Sequence, residues 1–233
     1  MKLGFLTVLS AAVVASALTF PVRLAARSAD SEFSTFDAPG AGATPGSGWG
    51  TFSSDINNRG TITGYYIDSK NVNHGFVRSA SGEFTTFDAP GASIAAASGD
   101  GTFPESINAA GAITGHYTDA KGLYHGFLRG PDGEFTTFDA PGAGTKRGSG
   151  FGTFPTSIND GGTIAGYYID ANDITHGFMR SPEGEFTTID APGANSHAGS
   201  DEGTAVRRIN AAGAIAGVYA DGNSVNHGFL WNP

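Results

Sequence analysis

The chain has 233 residues, of which 36 are Gly and 11 are Pro, and none is Cys. With no long helical period beyond residue 30, this composition excludes a helical bundle and favours many short strands joined by turns. The net charge of −9 argues against a surface for nucleic acid or anionic lipid, and the lack of Cys excludes disulfides.

Residues 1–29 are expected to be a signal peptide. Lys2 supplies a positive start, the run from Leu3 to Phe20 is apolar, and small residues near Ala17 and Ala29 offer cleavage sites. An uncleaved anchor is the alternative, because a run of about 18 residues is at the short limit for spanning a bilayer. Cleavage removes three cations and no acid, taking the net charge from −9 to −12. It predicts a secreted protein, extracellular or periplasmic, with no membrane attachment.

From residue 32 onward the sequence repeats at steps of 51 residues without insertion or deletion. A Glu-Phe-Ser/Thr-Thr-Phe/Ile-Asp-Ala-Pro-Gly segment begins at Glu32, Glu83, Glu134 and Glu185. An Ile-Asn pair ends at Asn57, Asn108, Asn159 and Asn210, and His-Gly-Phe begins at His74, His125, His176 and His227. A fixed period of this kind is the signature of a repeat architecture.

Each repeat predicts four antiparallel strands, a to d, separated by Gly, Pro, Asn and Asp turns. The a–b–c sets occupy 50–80, 101–131, 152–182 and 203–233, and the d strands lie near 32–38, 83–89, 134–140 and 185–191. Four strands in about 50 residues is the size of a propeller blade. We therefore predict an all-β fold, a four-bladed β-propeller over residues 30–233.

The order of the strands predicts how the ring closes. The repeat begins with a d strand and finishes with a c strand, so the N-terminal strand is expected to complete the sheet of the last blade. Closure removes the exposed edge that an open array would leave. An open solenoid is the alternative, but it would require capping repeats with altered outer faces. A closed ring is expected to be a monomer.

The motifs resemble a known family. His-Gly-Phe, with Ile-Asn-x-x-Gly-x-Ile-x-Gly-x-Tyr before it and Phe-Thr-Thr-Phe-Asp-Ala-Pro-Gly-Ala after it, is similar to the bacterial extracellular HAF repeat over residues 32–233. The chain departs from His-Ala-Phe by having Gly at the middle position. The resemblance implies a bacterial, exported protein and implies no catalytic residues.

The repeated His and Asp residues raise the question of a metal site. Each His-Gly-Phe histidine follows an Asp by six residues, and those acids are Asp68, Asp119, Asp170 and Asp221. Four imidazoles could converge on a metal ion, and calcium could be held by these acids together with Asp37, Asp88, Asp139 and Asp190. Loops of different blades lie apart around a ring, so we favour hydrogen bonds within each blade. No cofactor is expected.

The long loops from strand d to strand a differ among the repeats, and one aligned position holds Trp49, Asp100, Phe151 and Glu202. Aromatic rings with carboxylates are typical of sugar sites. The alternative places the rings in the seams between blades and the acids in solvent. Arg207 and Arg208, with Asp55 and Glu105, occupy neighbouring positions on strand a and are further candidates to line a polar pocket.

Three functions remain open at this point. The first is a secreted binding module whose loop face takes a glycan or an extracellular protein. The second is a glycan-active hydrolase or lyase with Asp100 and Glu202 as the acid/base pair, which requires carboxylates about 5–10 Å apart. The third is a structural repeat of the envelope or matrix. No nucleophile, phosphate-loop or dinucleotide motif is present, so we favour a protein that is not an enzyme.

Overall fold

The computed structural model describes residues 33–95, 100–146, 151–197 and 202–233, and all its regular structure is β-strand. The predicted signal peptide, residues 1–29, lies outside the described residues. Residues Phe36–Pro233 form one compact body, and Met1–Thr35 are assigned to another. Among the described residues there is no helix with the length and apolarity to span a membrane.

The described residues form fifteen strands, which recur at the step of the sequence repeat. The a strands are β1 (Gly50–Ile56), β5 (Thr102–Ile107), β9 (Gly152–Ile158) and β13 (Glu202–Ile209). The b strands are β2 (Ile62–Ile67), β6 (Ile113–Thr118), β10 (Ile164–Ile169) and β14 (Ile215–Ala220). The c strands are β3 (Asn73–Arg78), β7 (Tyr124–Arg129), β11 (Ile174–Arg180) and β15 (Asn226–Trp231). The d strands are β4 (Phe84–Phe87), β8 (Phe135–Phe138) and β12 (Phe186–Ile189).

Within each unit, numbered 1 to 4 by its a strand, neighbouring strands pair antiparallel in the order a, b, c, d. Consecutive units meet where a c strand begins beside the start of the next a strand. Short parallel bridges join them there, from Asn73 to Gly101, from Tyr124 to Gly152 and from Thr175 to Gly203. We call these contact zones the first, second and third seams.

The all-β, repeat-like arrangement is confirmed, but neither sheet closes on itself. Among the described residues β15 pairs only with β14, and residues 33–38 form no strand. The end of that segment is engaged elsewhere, because Phe36 packs on Phe76 and Phe84 of unit 1 and the Ala38 amide donates to Thr51 Oγ1 at 2.8 Å. The described residues therefore show an all-β repeat array and do not show the closed ring predicted from the sequence.

The apolar core lies between the units rather than within one of them. Phe127, fully buried, packs with Ile113 and Tyr117 of its own unit and with Ala89 and Phe87 of the preceding d segment. The same cluster recurs one unit later around Phe178. A cation closes each cluster: the Arg78, Arg129 and Arg180 guanidinium carbons lie 4.8, 4.9 and 4.7 Å from the ring of the preceding d segment.

The Ile-Asn asparagines explain why the step is constant. In the a–b turn Asn108 Oδ1 accepts from the amides of Ala110 and Ala112, while its Nδ2 donates to the Asn159 carbonyl of the next unit at 3.2 Å. Asn57 and Asn159 donate to the next unit in the same way. These residues, with Asn210, form what we call the asparagine chain, in which one side chain stabilises both its own turn and the following unit.

Every a strand carries a β-bulge, where one extra residue interrupts its pairing with strand b. A Gly on strand b allows this close approach: a Cβ on Gly166 would lie 2.2 Å from the Phe154 carbonyl oxygen. Bulges redirect the side chain of the extra residue. The extra residues are Ser54, Glu105, Thr156 and Arg207.

Candidate functional site

The four repeated histidines each bind acids of their own unit. His125 Nδ1 lies 2.8 Å from Asp139 Oδ1, its Nε2 lies 3.6 Å from Asp119 Oδ2, and its ring stacks on Tyr117. The hydrogen bond to Asp139 raises the pKa of His125 although burial opposes this rise. His74 and His176 have the same two carboxylates, and His227 has only Asp221, at 3.5 Å, among the described residues.

This arrangement orients the end of each c strand. Burial raises the pKa of Asp119, but the amides of Leu123 and Lys121 and the His125 ring outweigh it, so the pKa is lowered. Asp68 and Asp170 behave alike. Within the described ranges no three His, Asp or Glu side chains are arranged to hold a metal ion. The histidines do not converge, and each one serves its own b–c turn.

The aligned loop position, predicted as a binding mouth, lies directly before each a strand, and in units 2 to 4 this is at a seam. Phe151 is 6% exposed, its carbonyl accepts from the Tyr124 amide, and its ring packs where a Cβ on Gly144 would clash. Trp49 is half-buried in the corresponding place beside Gly42, at the start of unit 1. In this structure both aromatics pack against the loop that precedes their own a strand.

The two acids at this position lie at different seams. The Asp100 carbonyl accepts from the Asn73 amide and from Asn73 Nδ2 at the first seam. The Glu202 carboxylate accepts from Asn195 Nδ2 at the third seam. Hydrogen bonds from Ser224 and Asn195 hold the pKa of Glu202 below its usual value, so it is an anion at neutral pH. The structure does not bring Asp100 and Glu202 together at one seam.

A row of aromatic rings runs across the a and b strands of units 1 to 3, and we call it the aromatic ladder. Its members are Phe52, Tyr65, Phe103, His116, Phe154 and Tyr167. Rings of one unit stack nearly parallel at 4.9–5.0 Å, and rings of consecutive units meet edge to face at 5.3–5.4 Å. Each a strand contributes one Phe, and each b strand contributes the ring on which it stacks.

The ladder stops at unit 4. Counting in steps of 51, Phe52, Phe103 and Phe154 correspond to Ala205, and Tyr65, His116 and Tyr167 correspond to Val218. Both positions have lost the ring. A pocket of about 480 Å³ lies at this point of the third seam. Its lining includes Tyr167, Glu202, Ala205, Arg207, Tyr219 and Asn226, and we call it the seam pocket.

Arg207 is the charged group of the seam pocket that the bulge of β13 redirects. Its side chain is exposed, and its guanidinium carbon lies 5.8 Å from the centre of the Tyr167 ring. Arg208 points elsewhere, since its Nη1 donates to the Thr156 carbonyl of unit 3 at 2.9 Å. Of the two predicted arginines, the structure therefore assigns Arg207 to the pocket and Arg208 to the packing of neighbouring a strands.

A second titratable pair lies along the ladder. His116, 15% exposed in its side chain, lies between Phe103 and Phe154, and burial lowers its pKa to about 4. Glu105 Oε1 is 3.8 Å from His116 Nδ1. Burial raises the pKa of Glu105, and Arg208 opposes that rise. Both groups belong to unit 2, Glu105 on β5 and His116 on β6.

Sequence reasoning missed Ala205, Tyr167 and Tyr219. The signal for Ala205 was present, because it is a residue that differs at a position where the other three repeats agree. The variable loops, on which the sequence prediction relied, do not include this strand position.

A comparison with models of known protein families matches none of them, and a sequence comparison with curated proteins finds no match.

Proposed function

We propose that this chain is an exported binding module that takes a glycan in the seam pocket. The observation that carries this proposal is the single break in the aromatic ladder: unit 4 has Ala205 where three units have Phe, and the vacated space is a pocket. Residues that differ at one repeat position are the ones that the blade itself does not require. The ligand site is therefore expected where the repeat departs from itself.

The dimensions and chemistry of the pocket suit a small polar ligand. A volume of about 480 Å³ lies within the range of small-molecule sites, about 300–1,000 Å³. Tyr167 and Tyr219 offer aromatic surface, and Glu202 and Arg207 offer hydrogen-bonding groups of opposite charge. Sugars require this combination of ring faces and polar partners. A flat protein partner would leave such a concave, charged surface poorly filled.

We also propose that the four units close into a four-bladed propeller, with residues 32–38 completing the sheet of unit 4. Several contacts that pair two residues within the array have, at each end of the array, only one of the two residues in place. A Cβ on Gly75 or Gly126 would strike Phe87 or Phe138, whereas a Cβ on Gly228 would meet nothing within 4 Å. Counting in repeats, Phe36 is the ring that would cover Gly228.

The charged residues at the ends are also complementary. His227 has one carboxylate where His74 and His125 have two, and the equivalent of the missing acid is Asp37, which is exposed. Ser106 Oγ and Ser157 Oγ each accept from an Ile amide of the next unit. The equivalent of these serines in unit 4 is Arg208, which cannot accept. Its counterpart across a closed ring is Asp55, whose Oδ2 accepts from Ser106 Oγ and the Ile107 amide of unit 2 and whose Oδ1 accepts from its own Ile56 amide. An ion pair between Arg208 and Asp55 would form only on closure.

The exposure of equivalent apolar side chains also supports closure. The Ile that ends each a strand is 5%, 6% and 8% exposed in units 2, 3 and 4, but Ile56 of unit 1 is 61% exposed. Leu230 on β15 is 69% exposed. Closure would remove these apolar surfaces from water, at about 25 cal/mol per Å² of area buried. A closed ring leaves no edge for a second copy, so we propose a monomer.

Closure is tested with a cysteine pair, because the chain has no Cys of its own. Asp37→Cys with His227→Cys is expected to form a disulfide within one chain, detected by non-reducing electrophoresis and mass spectrometry. Asp88→Cys with His74→Cys is the matched control, since these side chains are in contact at 2.8 Å. Oxidation of the control pair without oxidation of the first pair would contradict a closed ring.

Binding is tested on an array of extracellular polysaccharide fragments. Ala205→Phe restores the residue of the other units and is expected to abolish glycan retention by filling the pocket. Ala211→Phe, at an exposed turn of the same unit, is the matched control and should bind like the unmodified protein. The proposal fails if the unmodified protein retains no glycan, or if Ala205→Phe binds as well as Ala211→Phe.

A further inference from the structure

We propose that the seam pocket selects a pyranose that carries a carboxylate, that is, a uronate residue of an acidic polysaccharide, and that Arg207 is the residue that selects it. This inference rests on the proposed function, because it names the class of glycan that the same pocket takes. Three observations carry it: the register of the aromatic ladder, the polar groups at one end of the pocket, and the guanidinium at the other.

The ladder defines the place for a ring. Its rings follow one another at 4.9–5.4 Å from Phe52 to Tyr167, and the next position of this series falls at Ala205. A ligand ring at that position would meet the Tyr167 ring, as Phe154 meets His116. If the ring of units closes, Phe52 of unit 1 faces Val218 by the same register, so the ligand would lie between two aromatic walls.

The polar groups distinguish a sugar from an aromatic ring. Thr175, Glu202, Ser224 and Asn226 line one end of the pocket. The Glu202 carboxylate is anionic and accepts from the Asn195 and Ser224 side chains, and a carboxylate of this kind accepts hydrogen bonds from sugar hydroxyl groups. A flat aromatic ligand has no hydroxyl groups to offer them. Covering polar groups without giving them hydrogen bonds is unfavourable, so a hydroxyl-bearing ring fits better.

The guanidinium distinguishes an acidic sugar from a neutral one. No carboxylate in the described ranges lies within ion-pair distance of Arg207, which reaches over Tyr167 at the pocket. Units 1 to 3 have Ser54, Glu105 and Thr156 at the bulge position that Arg207 occupies in unit 4. Unit 4 is thus the one unit with a cation at the bulge, and it is also the one unit with Ala in place of Phe, two residues earlier on the same strand. A planar guanidinium binds a carboxylate through two parallel hydrogen bonds.

The two charged residues of the pocket occupy different positions along one strand. Glu202 begins β13, and Arg207 lies five residues along it, so their Cα atoms are about 15 Å apart at the usual rise of a strand. A uronate carboxylate on Arg207 would thus bind a part of the strand other than that which carries Glu202. The net negative charge of the chain repels an acidic polysaccharide mainly at long range. Salt screens this repulsion, with a Debye length of about 8 Å at physiological ionic strength.

The experiment compares three probes by titration calorimetry: oligogalacturonate, the neutral galactose oligomer of equal length, and benzoate. We expect oligogalacturonate to bind at least about 10-fold more tightly than the neutral oligomer, and benzoate to bind not at all. Arg207→Gln should lower the affinity for oligogalacturonate to that of the neutral oligomer measured on the same variant, so that the preference for the acidic oligomer is lost. Arg59→Gln, at an exposed turn of unit 1, is the matched control and should change neither.

The outcomes separate this inference from the proposed function. Equal affinity for both oligomers, abolished for both by Ala205→Phe, would overturn selection of uronates and leave glycan binding in the pocket standing. Uronate preference that persists in Arg207→Gln would overturn the role of Arg207. Oligomer binding that Ala205→Phe leaves intact would overturn both proposals, and so would tighter binding of benzoate than of either oligomer.

Discussion

The second and third seams have the same backbone and different interiors. Both begin with a parallel bridge, from Tyr124 to Gly152 and from Thr175 to Gly203, and both carry a link of the asparagine chain. At the second seam Phe154 fills the space between units, and at the third seam Ala205 leaves it open. The contacts that set the step are separate from the side chain that fills the seam. A site can therefore arise at one seam without altering the repeat.

Removing the ring that fills the second seam should have the largest effect on stability. Phe154 contacts the rings of His116, Tyr124 and Tyr167. Phe154→Ala should therefore cost about 3 kcal/mol of unfolding free energy, measured by urea titration. Phe52→Ala removes a ring that is 37% exposed and should cost roughly half as much. Equal stability of Phe154→Ala and the unmodified protein would show that the second seam does not depend on its ring.

Lowering the pH should destabilise the second seam through protonation of His116. The third seam lacks this effect, because the residue equivalent to His116 there is Tyr167. Burial lowers the pKa of His116 from 6.5 to about 4, because the buried ring disfavours the charged form. The contribution of the neutral ring to the unfolding free energy is therefore full above pH 6.5 and is lost as the pH falls through 4. That shift corresponds to an upper limit of about 3 kcal/mol. His116→Tyr, which copies units 1 and 3, should unfold at lower pH than the unmodified protein. Coincident acid-unfolding curves for the two proteins would contradict this account.

A third substitution extends the comparison to the seam that closure would create. Gly126→Ala places a Cβ 2.5 Å from the Phe138 ring and should cost about 2 kcal/mol by overpacking. Gly228→Ala meets no atom within 4 Å in the open arrangement. In a closed ring it would meet Phe36 and should cost a similar amount. A near-zero cost for Gly228→Ala, measured by urea titration beside Gly126→Ala, would favour the open array.

The smallest expected effect is an alkaline decline in stability due to His125 at the second seam. The hydrogen bond to Asp139 raises the pKa of His125 above 6.5. Its contribution is therefore full below pH 6.5 and is lost as the pH rises through the folded-state value. Thermal unfolding from about pH 6 to about pH 8 should show this decline in the unmodified protein. Asp139→Asn should reduce the decline, and an unchanged slope would exclude the pair as its source.

The repeat could be predicted from the sequence because its physical causes are local. Gly in the turns, Asn57 and its equivalents in the a–b turns and Asp68 in the b–c turn each act within a few residues. Closure is different, because it requires contact between the two ends of the repeat array. It depends on whether residues 33–38 add to β15, and in this structure Phe36 and Ala38 pack on unit 1 alone.

The candidate site was predicted only in part. Glu202 and Arg207 were named from their aligned positions, and both line the seam pocket. Phe151 was named in the same way and is buried in a seam. Alignment gives the position of a residue in the repeat, but the bulge on each a strand decides where a neighbouring side chain points, and a bulge leaves no mark in the alternation of residues. Arg207 and Arg208 are adjacent in sequence and differ for this reason.

The hydrogen bonds of the asparagine chain all run from one unit to the next, and this has consequences for how the repeat can evolve. Each Asn donates forward to a carbonyl of the equivalent Asn, so donor and acceptor belong to the same kind of residue in every unit. Deleting or duplicating a whole 51-residue segment would therefore rejoin compatible surfaces. Recombination between internal copies should yield foldable descendants of other lengths, and each new copy would offer one more position of the aromatic ladder at which a binding site could appear.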